Sequence, residues 1–265
     1  MPELPEVETI KRQLEPLVKN LVFEEIKILK DKLIKGLSPQ AFIRQLKGQK
    51  ILKHFRRAKY LVFELSSGQV LVIHLGMTGS LRISKKIDGK YNKVIFKMSK
   101  GYFLIYSDSR MFGKILLLPQ FHFELGPEPL GKEFTREIFY KMLQAKKTKI
   151  KSLLLDQKFI AGIGNIYACE ALFDAGINPY RSADSISKSE AFLLYDSIRR
   201  VLHAAIKAKG SSFSDYVDAR GKKGGFQNLV KVYHRANQPC FQCKSLLKRI
   251  TLGQRGTYFC PSCQK

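Results

Sequence analysis

Four of the five cysteines of this chain stand as Cys240-x2-Cys243 and Cys260-x2-Cys263, with sixteen residues between the pairs. Two pairs so spaced can close as disulfides or around one tetrahedral metal ion, and the compartment decides between them. The start, Met1-Pro2-Glu3-Leu4-Pro5, is acidic and lacks the basic, apolar, small-residue order of a secretory signal. A reducing interior is therefore expected, and there the spacing reads as one structural zinc ion held by Cys240, Cys243, Cys260 and Cys263. Cys169, inside an apolar helical stretch, reads as packing.

The charge balance constrains the partner. Forty-seven Lys and Arg against 22 Asp and Glu leave a formal charge of +25, a field that calls for a polyanion: nucleic acid first, an anionic membrane second. The longest apolar runs, such as Leu61 to Phe63 and Ile115 to Leu118, fall far short of the roughly 20 residues that cross a bilayer, so no membrane is expected. With 265 residues and 45% hydrophobic composition the chain can build two cores, which excludes a disordered or collagen-like polymer.

Hydrophobic periodicity divides the chain. Val7, Ile10, Leu14, Leu17 and Val18 recur at helical spacing from Pro2 to Val18, with Glu3, Glu6 and Glu8 in the first turns. Between Lys59 and Leu118 the pattern changes to strands at Tyr60 to Leu65, Val70 to Leu75, Lys93 to Met98 and Tyr102 to Tyr106, broken by Ser66 to Gly68 and Ser99 to Gly101. These predict antiparallel hairpins and a sandwich or barrel-like first domain, residues 1–120. Residues 121–134, rich in Pro and Gly, predict a connector. Helices follow over Thr135 to Gln144, Ile150 to Leu155, Asn165 to Asp174 and Ser187 to Lys209, the last opened by a capping box, Ser187 with Glu190, and closed by Gly210. Residues 135–235 are expected as one helical domain, with a mobile Gly/Ser/Lys-rich loop over 210–225, and 236–265 as the zinc finger.

The run Met1 to Thr9 (Met-Pro-Glu-Leu-Pro-Glu-Val-Glu-Thr), His74 to Ser80 (His-Leu-Gly-Met-Thr-Gly-Ser), Ala161 to Tyr167 (Ala-Gly-Ile-Gly-Asn-Ile-Tyr) and the four cysteines together resemble bacterial formamidopyrimidine-DNA glycosylase, from end to end. The resemblance implies an α+β fold: an N-terminal antiparallel β-sandwich with flanking helices, a helix-two-turn-helix domain and a C-terminal zinc-finger β-hairpin. It also implies base-excision repair of damaged double-stranded DNA: removal of 8-oxoguanine and formamidopyrimidines, then strand cleavage at the abasic site by β,δ-elimination. A bacterial, cytoplasmic, nucleoid-associated monomer is expected, with zinc as its one cofactor and no nucleotide cofactor.

Residue roles follow from the same match. An enzyme that both removes a base and cuts the strand needs an amine able to form an iminium at the sugar. An α-amino group, with a pKa near 7.7 to 8.0, is about one-tenth neutral at pH 7 without tuning. By resemblance Pro2, exposed by removal of Met1, is that nucleophile, Glu3 the proton donor and Glu6 a supporting acid. Lys59 and Arg255 complete the catalytic set as phosphate-holding residues; Asn165, behind Gly162 and Gly164, offers its amide and a helix N-terminus to a phosphate, and His74 is a further DNA contact. Met77, Arg110 and Phe112 match the trio that fills the gap left by an extruded base. The base itself is expected under the 210–225 loop, against backbone amides near Ser211, Ser212, Phe213 and Tyr216. Basic runs at Arg44 to Lys59 and Lys146 to Lys151 read mostly as solvated or nonspecific phosphate contacts. Two other readings compete: an endonuclease-VIII-like glycosylase for oxidised pyrimidines, and a catalytically silent zinc-finger DNA-binding protein.

Overall fold

The computed structural model describes residues 1–265 and divides into two compact units, Met1–Phe123 with Ile206–Gln227, and Glu124–Ala205 with Asn228–Lys265. The first unit opens with α1 (Leu4–Val18), whose start is set by a capping box between Glu3 and Glu6 and by a proline in its first turn. Leu4, Val7, Ile10 and Leu14 are fully buried on one face, as their spacing requires. Two sheets follow. One has the order β1 (Phe23–Ile28), β7 (Asn92–Met98), β8 (Tyr102–Ser107), β6 (Ser80–Ser84); the other runs β2 (Ile34–Lys35), β9 (Lys114–Leu118), β5 (Val70–His74), β4 (Tyr60–Leu65), β3 (Ile51–Arg57). Inward residues of both sheets, α1 and α2 (Pro39–Leu46) share one core that includes Phe23, Phe42, Phe63, Phe96 and Tyr106.

The expected antiparallel sandwich is present with one difference: β2 pairs with β9 in parallel over two residues. β1 and β3 escaped the sequence pattern because each carries a bulge near its start, between Phe23 and Glu25 and between Ile51 and Lys53. A bulge shifts the period-2 alternation by one residue and erases the sequence signature.

The segment Ile206–Gln227 packs in this first unit, whereas the sequence groups 210–225 with the helices. Gln13 donates to Asp218 Oδ2 (2.7 Å) and accepts from the Ala219 N–H (2.9 Å), clasping the loop to α1, and Tyr216 and Ala219 join the sandwich core.

The second unit holds α3 (Arg136–Gln144), α4 (Ile150–Leu155), α5 (Asn165–Asp174) and most of α6 (Lys188–Lys207), with the hairpin β10 (Lys248–Leu252) and β11 (Arg255–Phe259). Thr135 caps α3. The predicted Ser187/Glu190 box caps α6, the Ser187 N–H donating to Glu190 Oε2 (2.8 Å) and the Glu190 N–H to Ser187 Oγ (3.3 Å). The finger is not a free-standing bead. Its Cys240, Leu247 and Cys260 are buried with Cys169 and Phe173 of α5, and the buried Glu170 carboxylate accepts the N–H groups of Lys231, Val232 and Tyr233 at 2.7 to 3.0 Å.

Candidate functional site

In the first unit the chemistry-bearing residues gather around the start of α1. Pro2, Glu3 and Glu6 are all buried. One Glu6 oxygen accepts the Glu3 N–H (2.8 Å) and the other accepts the Ser211 N–H (2.7 Å), so a single carboxylate ties the residue after Pro2 to the 210–225 loop. The approach is close: Gly210, at φ +81°, leaves only 2.9 Å between a notional Cβ and Glu6, and a side chain there would be both strained and crowded. The Tyr216 hydroxyl donates to the Glu6 carbonyl (3.4 Å), and burial beside Glu6 and Asp218 pushes that phenol well up, keeping it protonated. Of the backbone amides expected to face a base, those of Ser211 and Ser212 are engaged, by Glu6 and by Gln227 Oε1 (2.9 Å) respectively. Ser212 Oγ donates to the Tyr216 carbonyl (2.8 Å), and Phe213 is 36% exposed.

Lys59 is buried in the two-residue turn between β3 and β4, one residue ahead of the strand. Its predecessor Ala58 adopts φ +52°. Arg56 steadies this costly conformation by donating to the Ala58 carbonyl (3.0 Å) and to Glu8 Oε2 (2.8 Å). Burial works against ionisation of Glu8, but bonds from Arg56 and Arg12 outweigh it and hold the carboxyl below its usual range. The positive charge of Lys59 is felt at His74: burial first, then Lys59 and Lys114, lower the imidazole to about 4. His74 Nδ1 accepts the Gly76 N–H (3.1 Å), which leaves the proton of the neutral ring on Nε2. His74 therefore offers a neutral N–H donor at pH 7, not a cation.

Met77, Arg110 and Phe112 lie on two turns, 75–80 and 109–113, that touch backbone to backbone. A Cβ on Gly76 would meet the Phe112 carbonyl carbon at 2.5 Å, and one on Gly113 would meet the Tyr106 hydroxyl at 1.6 Å. Met77 is half-buried, Arg110 exposed and Phe112 51% exposed, with the guanidinium 5.0 Å from the Phe112 ring centroid.

The second unit brings Asn165 and Arg255 together. Asn165 opens α5 behind Gly162, which holds φ +87° at a turn braced by Gln157, whose side chain accepts the Gly162 N–H and donates to the carbonyls of Leu155 and Ile163. Asn165 Nδ2 donates to the Gly256 carbonyl (2.8 Å), next to exposed Arg255. The Gly253-Gln254 turn between β10 and β11 has φ +55° and +59°, the left-handed pair that a tight hairpin demands. Lys151 departs from expectation. It is fully buried, not a solvated member of a basic run, and its ammonium donates to Asn165 Oδ1 (2.5 Å). It therefore fixes which way the Asn165 amide points. Nothing in a lysine-rich sequence run signals that one member turns inward.

The four cysteine sulfurs lie within 4.8 Å of one another, with Cys240 to Cys263 at 3.9 Å and Cys243 to Cys260 at 3.5 Å. A tetrahedron with Zn–S bonds of about 2.3 Å has edges of about 3.8 Å, and four thiolates are the donor set of a closed structural zinc site. The residues fit one zinc ion.

Comparison with known proteins gives a consistent result over the whole chain. Residues 1–115 match the formamidopyrimidine-DNA glycosylase N-terminal domain, 125–217 the H2TH domain of the same enzyme, and 237–265 the zinc finger found in FPG and IleRS. The formamidopyrimidine-DNA glycosylase of Solibacter usitatus is 45% identical over 269 residues, all of both chains, and that of Neisseria meningitidis 43% identical over 277, again all of both. Among solved structures, the Thermus thermophilus protein superposes with a TM-score of 0.90 at 38% identity, covering 99% of this chain and 98% of that one. The Lactococcus lactis protein in complex with DNA containing an abasic site gives 0.92 at 34%, covering 99% of each. Sandwich, helical motif and four-cysteine finger thus define a DNA glycosylase. The chain belongs to the formamidopyrimidine-DNA glycosylase family. No helix is long and apolar enough to cross a membrane.

Proposed function

We propose that this glycosylase excises oxidised purines from duplex DNA and then cuts the strand, using the secondary amine of Pro2 once Met1 has been removed. The amine attacks the anomeric carbon, the glycosidic bond breaks, and the base departs with the bonding electrons and a proton. Glu3 protonates the ring oxygen as the sugar opens to an iminium on Pro2. That iminium is an electron sink: loss of a proton from the adjacent carbon expels the 3′ phosphate, a second elimination expels the 5′ phosphate, and water releases the enzyme. Lys59, Asn165 and Arg255 hold phosphates, His74 adds a neutral N–H donor, and Met77, Arg110 and Phe112 occupy the gap in the stack. Zinc bound by the four cysteines supplies rigidity to the hairpin bearing Arg255, and no chemistry. The four-part division at 1–120, 121–134, 135–235 and 236–265 is kept here as a functional division, with the 210–225 loop over the base.

The observation that carries this assignment is the Glu6 carboxylate, shared between the Glu3 N–H and the Ser211 N–H. It fixes the chain immediately after Pro2 and joins it to the loop assigned to the base, an arrangement a silent DNA-binding protein has no use for. The test is a comparison of duplexes carrying 8-oxoguanine or thymine glycol. Preferential release of the purine with both phosphates left on the gap is expected; preference for the pyrimidine supports the endonuclease-VIII-like alternative, and binding without cleavage of either supports the silent one.

A further inference from the structure

Asp108, just beyond β8, has a fully buried side chain that reaches no cation in the structure, yet it accepts from four donors. Its Oδ1 accepts from the Thr78 hydroxyl (2.5 Å) and the Arg110 N–H (3.2 Å), and its Oδ2 from the Gly113 N–H (2.9 Å) and the Tyr106 hydroxyl (3.2 Å). Thr78 Oγ1 accepts the Arg110 N–H as well (3.1 Å). Two of these donors lie on turn 109–113 and one on turn 75–80, so one carboxylate crosslinks the turns that carry Met77, Arg110 and Phe112. Burying a charge here is offset only because all its acceptor positions are used. The turns themselves offer little slack: Met111 sits at φ +55°, and Gly79 would place a Cβ 2.1 Å from the Leu75 carbonyl oxygen.

We propose that Asp108, acting through Thr78, is the positioning residue that makes Met77, Arg110 and Phe112 enter DNA as one preformed insert, and so sets discrimination against the wrong opposite base without touching DNA. This rests on the assignment of that trio to the gap in the stack. Two turns held at fixed spacing present the Arg110 fork at one distance and angle, so a mispaired partner is met by unmatched donors. Two loosened turns let Arg110 adjust to either partner and lose the contrast. The ordering cost is met in the free protein instead of at each encounter.

Thr78→Val keeps the shape of a half-buried residue while removing its bonds to Asp108 and Arg110. Asp108→Asn keeps the size but turns an NH2 group toward two donors. Single-turnover excision of 8-oxoguanine opposite cytosine and opposite adenine is measured for both variants, for Arg110→Ala and for the unaltered protein. General structural damage lowers both rates alike and leaves their ratio, whereas lost positioning lowers the ratio. Loss of these two hydrogen bonds predicts a cytosine-to-adenine ratio about tenfold lower in Thr78→Val. If Asp108→Asn fails to fold, Thr78→Val decides alone. An unchanged ratio in Thr78→Val beside a collapsed one in Arg110→Ala overturns the positioning role and spares the trio. An unchanged ratio in Arg110→Ala overturns the trio and the positioning role with it.

Discussion

The half-buried imidazole of His74 makes a quantitative prediction about pH. In the unfolded chain it takes up a proton near 6.5, whereas in the folded protein burial, Lys59 and Lys114 delay protonation to about 4. Between those values the unfolded state binds more protons, so stability rises with pH across the window. The contribution is complete above 6.5 and is lost as the solution is acidified towards 4. A displacement of that size corresponds to about 3 kcal/mol. His74→Gln removes the titration while retaining an acceptor for the Gly76 N–H, so unaltered protein should lose about 3 kcal/mol relative to the variant between pH 7 and pH 4. Denaturant unfolding of both proteins at a series of pH values measures this difference. His54, also lowered by burial, is common to both and cancels. NMR titration of the His74 ring supplies the direct reading. A midpoint at or above 6.5, or a stability difference flat with pH, refutes both the half-buried placement and the assignment of a neutral donor.

Three further outcomes follow from the geometry. Cys260→Ser should release zinc, as read by metal analysis, and abolish duplex binding, since three thiolates no longer fix the hairpin that carries Arg255. Retained full affinity in metal-free protein contradicts it. Arg255→Ala should weaken damaged and undamaged duplex alike and reduce the magnitude of the log K against log salt slope by about 1, the loss of one phosphate contact; His74→Gln, which removes a neutral donor, should leave that slope unchanged. Lys151→Met leaves a buried aliphatic chain without the bond to Asn165 Oδ1 and should weaken duplex binding by about tenfold, comparable to losing one hydrogen bond to a charged group. Circular dichroism checks that α4 and α5 persist, and an affinity equal to that of unaltered protein removes Lys151 from the positioning of Asn165.

What could be read from the sequence was local. Strands β4 and β5 appear as uninterrupted β-rich runs, α6 announces its start through Ser187 and Glu190, and the cysteine pairs specify their own tetrahedron. Nothing local identifies β1 or β3, because bulges displace their alternation. The same distinction governs the site. The cysteines were legible because a closed metal site depends on residue type and spacing, whereas Pro2 and Glu3 were singled out only by the resemblance of the run Met1 to Thr9. Lys151 and Asp108 were not legible, because their roles come from partners brought in by the fold. The donor set of Asp108 includes Thr78, thirty residues earlier, and Glu6 meets Ser211 across 205 residues. A charge in a basic run looks solvated until a helix turns it inward, as α4 does with Lys151. The grouping of the 210–225 segment was equally hidden, since it rests on Gln13 meeting Asp218 and Ala219 rather than on any property of the segment itself.

The central claim is that one secondary amine at Pro2 performs both the excision and the strand cut, and borohydride reduction addresses it most directly. Incubated with an 8-oxoguanine duplex and sodium borohydride, the protein should become covalently attached to DNA, with the adduct mapping to Pro2 by peptide mass analysis and Met1 absent. Protein carrying extra residues before Pro2 has only an amide nitrogen there and should bind damaged duplex without trapping or cleavage. An adduct on Lys59, or full cleavage by the extended protein, would contradict the proline mechanism.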